Sequence, residues 1–193
     1  MACTLKLSVM TTEELKADFF LVNVTGQLEK ALFPAFDNIW CKYCFSYGRD
    51  WTIVAGIDEG ITQTSLKSSA EEHDLILNFP IEISWRSTNP SGWPQIAVHA
   101  YGVDPFGKDV VRGYGAVHVP MQPGRHRRRI AMFTPESSSQ LMALNAWFTG
   151  KRPEFVSPKV VTTGEGREGM YEQIFNMYKI RVYIYWSVIF AVN

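Results

Sequence analysis

Three cysteines in 193 residues, Cys3, Cys41 and Cys44, are too few to staple a fold. An odd, sparse set of thiols excludes the disulfide framework of a small secreted domain and fits a reducing compartment. An excess of one charge is lacking too. Nineteen basic residues stand against 19 acidic ones, so no global field recruits nucleic acid, and an electrostatic partner has to be met by a local patch. The most apolar stretch, Ile180 to Val192, is thirteen residues long and contains Arg181, short of the roughly 20 that cross a bilayer. The N-terminal MACTLKLSVMTTEELKADFF has no block long enough for a signal-peptide core, so the expected compartment is the cytosol. Internal repeats, a phosphate loop, a nucleophile elbow and a zinc-protease signature are all missing, so no catalytic residue and no cofactor are expected.

What the chain has is aromatic and alternating. Aromatic residues make up 13% and hydrophobic ones 46%, a balance that suits one β-rich domain. In DFFLVNVTGQLE, Phe20, Val22, Val24 and Leu28 take one face and Asn23, Thr25 and Gln27 the other, the period of a half-buried strand. The sequon at Asn23 reads as part of that strand. LILNFPIEISW repeats the pattern from Leu75 to Trp85; Pro80 removes a ladder donor there and predicts an edge strand or a bulge. STNPSGWP is dense turn chemistry and QIAVHAY a further strand. In VVRGYGAVHV, Gly113 and Gly115 predict a bend or a close backbone approach. PMQPGRHRR reads as a further turn, after which RRIAMF resumes the alternation. Thr134 as cap, Pro135, the spacing of Leu141, Leu144 and Phe148, and Gly150 predict one helix. The fold class that follows is all-β, an antiparallel sandwich with one short helix.

WCKYC, Trp40 to Cys44, has the spacing of a redox or zinc motif. Thioredoxin-type chemistry needs its first cysteine at a helix N-terminus, where the thiolate is stabilised. No helix follows here. CKYCFSYG alternates, with Cys41, Tyr43, Phe45 and Tyr47 on one face and Lys42, Cys44 and Ser46 on the other. The two sulfurs of an extended chain then point apart and serve the structure. A zinc site would have to recruit two of the scattered His73, His99, His118 and His126. The basic cluster Arg125, Arg127, Arg128 and Arg129, joined by Lys151 and Arg152, reads either as a solvated hairpin or as a patch for anionic lipid headgroups, worth about 1 kcal/mol per residue. Asp104 and Asp109 share a loop of the kind that binds calcium, but two carboxylates rarely suffice.

Taken together, FDNIWCKYCFSYGRDW, FPIEISWRSTNPSGWPQIAVHAYGVDPFGKDVVRGYGAVHVPMQPGRHRRRIAMFTPES and WFTGKRPEFVSPKVVTTGEGRE resemble the small B9-domain family over about Asp18 to Glu168. The resemblance implies a C2-domain-like antiparallel β-sandwich and a non-enzymatic scaffold in the tectonic-like (Meckel) complex of the ciliary transition zone. Its implied partners are the other B9-domain proteins and membrane-associated proteins of that zone, on the cytoplasmic side of the cilium base. The chain then divides into an N-terminal extension, 1–17, the domain, 18–169, and a divergent C-terminal segment, 170–193. In that last segment Val182, Ile184, Trp186 and Val188 alternate with Tyr183, Tyr185 and Ser187, a pattern fit to supply a final strand. Calcium-binding C2 domains carry more carboxylates than are present here. Asp37, Asp104 and Asp109 remain, while Ala31 and Gly102 stand where two others are expected. The loops are therefore read as degenerate, with no tight metal site and any membrane contact independent of calcium.

Overall fold

The computed structural model describes residues 19–67, 74–134 and 181–192, and every regular element among them is a strand. One sheet holds, in spatial order, β3 (Trp51–Gly56), β5 (Asp74–Ser87), β1 (Phe20–Leu32), β9 (Arg181–Val192) and β8 (Gly124–Ala131). The other holds β4 (Glu59–Ile61), β2 (Ile39–Ser46), β6 (Gln95–Val103) and β7 (Asp109–His118). All pairings are antiparallel. The helix expected after Thr134 falls on residues outside the described set. Thr134 itself donates its hydroxyl to the Arg112 carbonyl at 2.9 Å.

The sandwich forms because alternation puts one apolar face of each sheet inward. Val22, Val24 and Leu28 of β1, Leu75 to Trp85 at alternate positions of β5, and Val182, Ile184, Trp186 and Val188 of β9 meet Cys41, Tyr43 and Phe45 of β2 and Ile96, Val98 and Ala100 of β6 in a single core. Across the interface Phe45 sets its edge against Trp85, ring centroids 5.0 Å apart and planes at 79°, the arrangement aromatic quadrupoles favour. β9 is paired on both sides, with β1 from Phe20↔Val192 to Leu32↔Arg181 and with β8 from Gly124↔Val188 to Ala131↔Arg181.

Pro80 lies on β5 beyond the stretch that β3 reaches, since β3 pairs only with Ile83 to Ser87. A bulge stands beside it, where the β1–β5 register slips between Leu28 and Lys30 and Asn78 takes a φ of 43°. Asparagine tolerates that left-handed conformation better than most residues. The β1–β9 register also slips at this point, and there Glu29 is the extra residue. Inward positions on β1 therefore change parity, from Val22, Val24 and Leu28 to Ala31, and the bulge turns Glu29 and Lys30 together toward the outer face.

The turn STNPSGWP closes one end. Gly92 has a φ of 69°, and a Cβ there would lie 2.5 Å from Gly48 Cα, so only glycine fits. Trp51 and Trp93 pack edge to face at 5.0 Å with Phe20 and Phe190 beside them, and both indoles donate to backbone, to Ser91 O and Val119 O at 2.8 Å. Where the chain leaves β8 it crosses to the second sheet, and Phe133 exchanges two backbone hydrogen bonds with Tyr114 of β7 at 2.7 and 2.8 Å. The close approach predicted at Gly115 is this crossing: a Cβ would lie 2.6 Å from Ile130 Cγ2 and 2.8 Å from Ala131 O.

Candidate functional site: an arginine-bearing edge strand

The RHRRR cluster is not at a turn. It lies within β8, the terminal strand of its sheet among the described residues. The expectation of a turn failed because a strand with polar residues on both faces has no period-two signal; here the ladder with β9 holds the backbone extended. Arg125, Arg127 and Arg129 pair with Ser187, Tyr185 and Tyr183, on the outer face of the sheet. Arg128 pairs with the core residue Ile184, so it leaves the strand on the opposite face, and it is nonetheless exposed. The structure thus divides the cluster between the two sides of one edge strand, while Lys151 and Arg152 lie outside the described residues.

On the outer face the bulge meets the arginines. Arg127 forks onto the Glu29 carboxylate, Nε to Oε2 at 2.8 Å and Nη2 to Oε1 at 2.6 Å, the bidentate geometry that suits a planar guanidinium. Its guanidinium carbon lies 5.6 Å from the Tyr183 ring centre, and Lys30 Nζ stands 5.5 Å from the same ring. Lys30 pairs with Asp74, whose hydrogen bond raises the lysine pKa. A shallow depression of about 350 Å³ is lined by Gln27, Glu29, Arg127 and Tyr185. Arg125, Arg128 and Arg129 are exposed and have no ion pair among the described residues. Glu29 is the residue that sequence reasoning missed. Its signal was the change of apolar parity in LEKALF.

The three aspartates sit at one end of the second sheet, where Ile39 pairs with Gly102 and Val103 with Asp109. Asp37 Oδ1 accepts the Asn38 and Lys67 amides, both at 2.9 Å. Asp104 Oδ1 accepts those of Phe106 and Lys108 at 2.8 Å, so both carboxylates shape their own loops. Asp109 is the exposed first residue of β7. Between the loops lies Arg112, the extra residue at the β6–β7 register slip. Its guanidinium stacks 4.1 Å from the Phe36 ring centre and donates to Val103 O at 2.8 Å. A fixed positive charge is therefore built in beside these aspartates. No group of three or more His, Cys, Asp or Glu side chains is gathered for a metal among the described residues.

Cys41 and Cys44 lie on an extended strand and alternate as expected, Cys41 fully buried in the core and Cys44 outside that cluster. Burial alone pushes the Cys41 thiol up to about 12, the reverse of what a nucleophilic cysteine requires. His99, His118 and His126 fall on three different strands. His73, the serines 137–139 and the glycines of GEGRE lie outside the described residues.

A family profile described as B9-C2, "Ciliary basal body-associated, B9 protein", matches residues 22–182. The B9 domain-containing protein 1 of Xenopus laevis is 60% identical over 149 residues, 77% of this chain and 75% of that one. The Homo sapiens protein of the same name is 58% identical over 149 residues, 77% of this chain and 73% of its own. Among solved structures, the C2A domain of plant Extended Synaptotagmin 1 aligns with 87% of this chain and 92% of that chain, with a TM-score of 0.44 and 8% identity.

Proposed function

This chain belongs to the B9-C2 family of ciliary basal body-associated proteins, and from that premise we propose that it is a scaffold of the ciliary transition zone. In this reading it joins the other B9-domain proteins and membrane-associated components on the cytoplasmic side of the cilium base, supports ciliogenesis and the barrier to membrane proteins, and makes no covalent chemistry. The observation that carries it is the match at 60% identity over three-quarters of both chains. The buried, protonated thiol of Cys41 agrees with it. Copurification of the tagged chain from ciliated cells, with imaging, tests it. The expected result is a focus at the ciliary base and recovery of other B9-domain proteins; a diffuse signal with none of them recovered refutes it. The exposure of Arg125, Arg128 and Arg129 favours a second reading, calcium-independent contact with an anionic membrane surface.

A further inference from the structure

We propose that the outer edge of β8 receives an extended, acidic segment of a partner protein as an added strand. The inference deepens the assembly reading and rests on it. β8 ends its sheet, and among the described residues it is laddered only to β9. Among the described residues, one side of its backbone therefore offers a row of donors and acceptors along Gly124–Ala131.

Charge selects what can pair with that row. Strand addition takes its affinity from main-chain bonds and its specificity from alternate side chains. Arg125, Arg127 and Arg129 recur on one face at every second residue, a spacing of about 6.8 Å. Antiparallel pairing of β8 with a second copy would set Arg127 against Arg127 and Arg125 against Arg129, and like charges directly opposite repel. Charge thereby weighs against a second copy. A segment with Glu or Asp at alternate positions meets complementary charge at each of them.

The molecule already displays the contact. The fork of Arg127 on Glu29 shows this face accepting a carboxylate, and it leaves Arg125 and Arg129 on either side as cations without an ion pair among the described residues. Arg128, on the opposite face, meets the other side-chain row of an added strand. A flat membrane facing the outer surface would not meet Arg128, and it would find Arg127 already neutralised. The division of the cluster between two faces thus favours a strand over a bilayer.

The test uses the full chain and a labelled ten-residue peptide alternating glutamate with valine and threonine. An isomer of the same composition with its glutamates contiguous serves as control. The alternating peptide is expected to bind at least about tenfold more tightly and to slow hydrogen exchange of the β8 amides. In R125E/R129E, whose changes fall on exposed side chains, binding is expected to drop at least about tenfold while the thermal midpoint stays put. Equal binding of the two isomers, or binding without protection of β8, overturns the proposal. So does charge-dependent pelleting with phosphatidylserine vesicles when neither peptide binds, which assigns the arginines to a membrane. If R125E/R129E still copurifies with B9-domain proteins and no peptide binds, this site falls and the assembly reading stands. If the peptide binds but the wild-type chain recovers no such protein, the assembly reading alone falls.

Discussion

A thiol held in an apolar core costs free energy to ionise, and Cys41 shows this as a pKa raised from 9.0 to about 12 with desolvation its only cause. The linkage sign follows. The folded state keeps its proton while the unfolded chain loses it, so this contribution is fully present below pH 9 and declines by about 1.4 kcal/mol per pH unit as pH rises toward 12. Tyr43 and Tyr47, raised chiefly by burial, act in the same direction. Replacing Cys41 with valine is expected to flatten the fall of the thermal midpoint between pH 9 and 11. Parallel curves for the two proteins would show that the thiol is not the source. At the same scale, sequence reasoning foresaw the outcome for the cysteines, because alternation alone settles which way two side chains three apart must point.

At the scale of elements, β1, β5 and β9 were legible because each carries a period-two pattern with one face in the core. β8 was legible only from Arg128 on, where RRIAMF alternates; in its first half the neighbouring strand rather than its own residues determines it. The Arg127–Glu29 pair was not legible, since its partners lie 98 positions apart and meet only because a bulge turns Glu29 outward. β9 is the element on which the first sheet depends, and its inward Trp186 is fully buried. Neither Trp186 Nε1 nor Trp85 Nε1 finds a hydrogen-bond acceptor among the described residues. Trp186→Ala is expected to cost about 3–5 kcal/mol in denaturant unfolding. Trp186→Phe keeps a ring and removes an unsatisfied donor, so it is expected to cost only about 1–2 kcal/mol. Equal losses for the two would mean that the indole N–H is satisfied after all.

Across the whole molecule, balanced charge conceals a local asymmetry. A formal net charge of zero coexists with an edge strand carrying four arginines, so composition could exclude a global field and say little about a patch. The family match ends at Val182, two residues into β9, yet β9 joins β1 to β8. A chain stopped after Ile180 is expected to bind a hydrophobic dye and to lose its cooperative unfolding transition, since the core residues Val24 and Leu28 lose their cross-strand partners Val188 and Ile184. A sharp transition in the shortened chain would show that the remaining strands close without it.

The pairing of Phe20 with Val192 also bears on the order of events during synthesis. β1 takes its second neighbour from β9, which follows every other described strand in the chain, so that side of its ladder stays open while everything between them is translated. Contacts this distant in sequence slow folding, which makes insertion of β9 the expected rate-limiting step and the nascent protein most vulnerable to misassembly just before β9 emerges.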